Sequence, residues 1–75
     1  MKDVMICLVN QLREVRPEFG FYKKHVDNPN TFGKNVLTTS GYVISISQEL
    51  LTDFERTSID NMTLLNRIRI IREPN

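Results

Sequence analysis

The sequence predicts a small α+β domain in which an antiparallel β-hairpin packs on amphipathic helices, and three stretches of chain predict it. Residues 3–16 set Met5, Leu8, Val9, Leu12 and Val15 on one helical face. Residues 35–47 hold two short alternating runs around Ser40-Gly41. The 32 residues between Gly41 and Pro74 contain neither glycine nor proline, and they carry Leu50, Phe54, Thr57, Asn61, Leu64, Ile68 and Ile71 at alternating four- and three-residue steps. That spacing lines one side of a helix. With 75 residues the chain is read as one domain spanning 1–75. A core of this size supplies about 3–5 kcal/mol of net stability, so a partner matters for it more than for a large protein.

The first helix must stop at or just before Arg16, because Pro17 disfavours the α conformation in the residue ahead of it. Ile6 and Cys7 lie off its apolar face, and a short strand over 4–9 is the competing reading. Residues 18–35 contain Gly20, Gly33 and the Asn28-Pro29-Asn30 turn signal, which reads as loop and irregular strand, with Phe19–Val26 able to pair as an edge strand. Asn35–Thr39 and Tyr42–Ser47 form the hairpin; Tyr42, Ile44 and Ile46 alternate with Val43, Ser45 and Ser47. Ser45, three residues ahead of Gln48, fits a capping box and Ser47 is an alternative cap, so a helix begins near residue 47.

Thr57, Ser58 and Asp60 prefer caps to helix interiors, so the long stripe is expected to break near Thr57-Ser58. A second helix would then start near residue 60 and end before Pro74. Met62, Leu64, Ile68 and Ile70 also alternate as a strand does, but a thirteen-residue strand would exceed the usual length. The predicted order is α-β-β-α-α, with α-β-β-α-β as the alternative.

Composition narrows the function classes. Ten Lys and Arg against nine Asp and Glu leave a formal net charge of +1, which gives no overall attraction to nucleic acid or an anionic membrane. Cys7 is the one cysteine, so an internal disulfide framework and a cysteine-based zinc site are excluded. A lone thiol fits a reducing compartment, and the cytoplasm is expected. The apolar run over 4–9 is too short for a signal sequence, and no segment approaches the roughly 18–20 apolar residues of a membrane span.

Chemistry is sparse. His25 has no identifiable carboxylate partner, and Cys7 sits in an apolar segment where a thiol behaves as a small hydrophobe. No His, Cys, Asp or Glu set has a metal-ligand spacing, and Gly20, Gly33 and Gly41 are too scattered to cradle a phosphate. The reading is therefore not an enzyme, with no metal and no cofactor.

Binding is the remaining class. Protein-binding candidates are Tyr22, Tyr42, Arg67, Arg69 and Arg72, the residue types that anchor interfaces. The alternative is weak nucleic-acid binding by a Lys23/Lys24 loop, with Phe19 and Phe21 interleaved, and by an arginine-bearing helix carrying Arg67, Arg69 and Arg72. Phe19-Gly20-Phe21 resembles the centre of the aromatic ribonucleoprotein motif of RNA-recognition and cold-shock domains. Pro17-Glu18 stands where that motif has a basic residue and glycine, so no role is carried across. Gly41-Tyr42-Val43-Ile44-Ser45, in an α-β-β-α order, resembles small phage-encoded inhibitors, including anti-CRISPR proteins. That resemblance implies an inhibitor or adaptor acting stoichiometrically. The helical break predicts a monomer whose stripe folds back on its own hairpin.

Overall fold

The computed structural model describes residues 4–26, 33–57 and 59–75. The expected turn at Asn28-Pro29-Asn30 and the capping role considered for Ser58 lie outside them. Helix α1 runs Val4–Val15 and buries Met5, Leu8, Val9 and Leu12, the face that their spacing marks out. Its last turn closes when the Arg16 N–H donates to the Leu12 carbonyl at 2.8 Å. Pro17 then opens a single 3-10 turn, Pro17–Phe19, that drives Phe19 into the core with none of its surface exposed.

Four antiparallel strands follow: β1 Tyr22–Val26, β2 Gly33–Thr38, β3 Val43–Ser47 and β4 Arg69–Arg72, side by side in that order. The predicted hairpin is β2–β3. The Gly41 N–H donates to the Thr38 carbonyl at 3.0 Å and the Thr38 N–H to the Tyr42 carbonyl at 2.9 Å, closing a three-residue loop. Gly41 takes φ +91°, the left-handed position such a loop requires. Val36 lies opposite Ile44, and these two with Ile46 point into the core, fully buried. Gly33 opens β2 where a Cβ would strike the Ile46 carbonyl oxygen and come within 2.9 Å of the Ser47 Cα. The edge strand expected within residues 19–26 is β1.

Helix α2, Gln48–Arg56, begins directly at the end of β3. Ser47 is its cap, its Oγ accepting the Leu50 N–H at 3.0 Å. The helix stops at Thr57, whose N–H and hydroxyl both donate to the Asp53 carbonyl, at 2.9 and 3.0 Å. Helix α3, Asn61–Arg67, restarts at Asp60, whose carboxylate accepts the Thr63 N–H at 2.9 Å and the Thr63 hydroxyl at 2.8 Å. The break expected near Thr57 is therefore present.

The C-terminal part departs from the favoured element order. Helix α3 ends at Arg67, and residues 69–72 are strand, so the order is α-β-β-β-α-α-β, ignoring the 3-10 turn. Two forces favour this. Ile68, Ile70 and Ile71 are β-branched and stiff against a helical turn, and β3 offers an open edge that only a strand satisfies. Because the strand is four residues long, the length objection to it does not apply.

Helices α1, α2 and α3 cover the face carrying Val36, Ile44 and Ile46, with Leu50, Leu51 and Leu64 completing the core and Phe54, Ile59, Leu65 and Ile68 packed at its margin. Two polar ties pin α1 to the α2–α3 connection: Gln11 Nε2 donates to the Ile59 carbonyl, and Asn61 Nδ2 donates to Glu14 Oε2 at 3.1 Å. The radius of gyration, 11.3 Å, equals that of a compact chain of this length, about 11 Å. Of the stripe from Leu50 to Ile71, Leu50, Phe54, Leu64 and Ile68 thus pack into or against the chain's own core, while Thr57 and Ile71 are exposed.

Candidate interaction surface

Residues paired across a sheet share a face, so the register assigns the side of the sheet opposite the helices. Lys24, Leu37, Val43 and Arg72 form one row across all four strands. Val26, Asn35, Ser45 and Arg69 form the next. Cations stand at both ends of the first row and one end of the second, and none of the eight is acidic. Strand spacing puts Lys24 and Arg72 backbones about 14 Å apart.

Two bulges create this arrangement. On β1, Tyr22 pairs with Thr38 and Lys24 with Leu37, leaving Lys23 as an extra residue. In a regular strand Tyr22 and Lys24 would share a face. The bulge sends Tyr22 to the helical side, where it packs on the core, and Lys24 to the open side. On β4, Ile70 pairs with Ile44 and Arg72 with Val43, leaving Ile71 extra. Without that extra residue's offset, Arg69 and Arg72, three apart, would point to opposite faces. With it, both arginines stand on the open face.

The sequence candidates are distributed unevenly. Arg67, at the end of α3, is drawn away: its Nη1 donates to Asp53 Oδ2 of α2 at 3.1 Å. Arg69 and Arg72 are exposed and stand in no ion pair among the described residues. They are strand residues, which corrects the expectation of one helix carrying all three arginines. Lys23 and Lys24 are likewise in β1 rather than in a loop.

The described aromatics lie away from the open face. Tyr42 meets Phe19 edge-on, with ring centroids 5.1 Å apart, and Tyr22 meets His25 edge-on at 5.8 Å. The Arg16 guanidinium lies 4.7 Å from the Phe19 ring centre, and Arg13 lies 4.1 Å from that of Phe21. Tyr22, Tyr42 and Phe54 pack against the core. Arg16 also pairs with Glu18; this hydrogen bond raises the Arg16 pKa and holds the Glu18 carboxyl below its usual range.

The residues that sequence reasoning missed are Ile70 and Ile71 at the sheet edge, 38% and 52% exposed. The signal for Ile70 was the alternation that supported the strand alternative, whereas Ile71 stood in the sequence as the last member of the helical stripe. Leu37, Val43 and Asn35 occupy the middle of the face opposite the helices, where Val43 and Asn35 are buried and Leu37 half-buried, and carried no functional signal by residue type. Among the described residues no three His, Cys, Asp or Glu side chains are placed to hold a metal ion, and no helix is long and apolar enough to cross a membrane. The chain matches no protein-family model, no curated protein and no solved structure.

Proposed function

We propose that this chain is a small non-enzymatic protein-binding module, a stoichiometric inhibitor or adaptor working as a monomer in the cytoplasm. The observation that carries the reading is β4: an edge strand, exposed at all four positions, that presents two isoleucines and an uncovered backbone edge between two arginines. An apolar edge of this kind is a template for another chain. With Leu50, Phe54, Leu64 and Ile68 packed into the chain's own core, β4 joins two exposed isoleucines to an unpaired strand edge, whereas Ile6, Phe21 and Met62, also exposed, lie off any strand.

The test is capture by the tagged chain from a lysate of the cells that produce it, treated with nuclease. One defined protein should be retained at one-to-one stoichiometry by the wild-type chain and lost with Ile71→Asp, which leaves the core untouched. Retention that ignores Ile71→Asp would overturn the reading.

A second reading is favoured by the collection of Lys24, Arg69 and Arg72 on one face: weak nucleic-acid binding through phosphates. It requires a steep loss of affinity with salt, with a logarithmic slope approaching about one per phosphate contact on duplex DNA. Absence of micromolar binding at low salt would remove it.

A further inference from the structure

We propose that β4 receives an extended acidic segment of the partner as a fifth strand, with carboxylates at alternating positions meeting Arg69 and Arg72. The inference rests on the protein-binding reading and specifies its ligand.

The two edges of the sheet are not equivalent. The β1 edge carries Lys23, Lys24 and His25 in succession, all exposed, with Lys23 in the bulge. An unbroken polar and cationic run of this kind discourages strand addition; β4 is bulged as well, but two isoleucines separate its cations. The β4 edge joins its cations to Ile70 and Ile71, which offer apolar contact beside the backbone donors and acceptors that an added strand uses.

The β4 bulge sets the required pattern. Arg69 and Arg72 register against Ser45 and Val43, which are two residues apart on one face of a regular strand. A regular strand added on the outer side matches both arginines when its carboxylates stand at i and i+2. The intervening side chain then points to the helical side, where Ile70 lies. Charge therefore selects the face and the apolar residue fills the other side.

A second copy is a poor occupant. A fully overlapped antiparallel β4–β4 pair sets Arg69 against Arg72 of the second copy, and a parallel in-register pair sets each arginine beside itself. Like charges directly opposite destabilise a strand pair. A nucleic acid fits less well, because the open face beside β4 bears no aromatic side chain among the described residues on which a base could stack.

The experiment titrates the isotope-labelled full chain with three probes: a capped six-residue peptide of alternating Glu and Val, its Lys and Val counterpart, and a thymidine decanucleotide. The acidic peptide should shift the amides of residues 69–72 in low salt and release them as salt rises. The basic peptide should bind at least tenfold more weakly. Arg69→Glu with Arg72→Glu should reverse that preference while leaving the remaining amide spectrum and the melting temperature unchanged. Shifts confined to β1, no discrimination between the peptides, or tighter binding of the oligonucleotide through Arg69 and Arg72 would each overturn the proposal. In the capture assay, loss of the partner with Ile71→Asp but not with the charge reversal would remove the acidic strand and leave the protein-binding reading intact.

Discussion

Ser47 and Asp60 hold the starts of α2 and α3 through one side chain each, and their chemistry predicts different sensitivities. Ser47→Ala removes the acceptor for the Leu50 N–H and should cost about 1 kcal/mol in urea unfolding. Asp60 caps with a carboxylate whose pKa is lowered, first by the Thr63 backbone N–H and then by the Thr63 hydroxyl. A carboxyl more acidic in the folded than in the unfolded chain adds stability above its unfolded pKa and loses it as pH falls through the folded value. Asp60→Asn keeps a good cap and removes the titration, so stability measured from pH 7 down to pH 3 should fall less steeply for the variant than for wild type. An equal slope would show that Asp60 is not a source of the acid sensitivity. In the core, Leu64 is fully buried beneath α1, and Leu64→Ala should cost about 2–5 kcal/mol. Since a domain of this size has about 3–5 kcal/mol in hand, circular dichroism should find that variant largely unfolded at 37 °C.

The elements differ in how far local sequence decided them. The face of α1 is legible because Met5, Leu8, Val9 and Leu12 repeat at helical spacing and Pro17 supplies a stop; the β2–β3 hairpin is legible because Gly41 marks its turn. The step from α3 to β4 was not. Leu64, Ile68 and Ile71 fit a helical stripe while Met62, Leu64, Ile68 and Ile70 fit an alternation, and what decides between them is the free edge of β3, more than twenty residues away in sequence. The same limit applies to the surface. Arg69 and Arg72 stood out as cations, yet their common face depends on a bulge that exists only through pairing with Val43 and Ile44. Arg67 looked equivalent until the fold brought Asp53 beside it. At the strand scale, Gly33→Ala forces a methyl group into the β3 backbone at Ile46, and it should destabilise the sheet by more than the few tenths of a kcal/mol of a typical surface change.

For the whole molecule, the consequence of two short helices in place of one long one is self-sufficiency. A continuous helix across Leu50–Ile71 would carry Thr57 and Asn61 at its seam and would need a second chain to cover it. Here Thr57 closes α2 and Asn61 reaches Glu14 on α1, so both polar members of the stripe find partners within the one chain. Sedimentation should give a monomer at micromolar concentration. Replacing both residues with leucine removes the stop and the tie together and should shift the protein toward dimers.

The extra residue in β4 also makes chain length a variable separate from surface pattern. Deleting Ile71 would leave Arg-Ile-Arg, a regular strand whose two arginines still share a face, so the sheet would keep its charge layout while losing one apolar side chain and one peptide unit of edge. Ile71 is thus a removable spacer. A chain shortened at that position should melt close to the wild-type temperature, and its affinity for a strand-forming ligand would measure what a single inserted residue contributes to recognition.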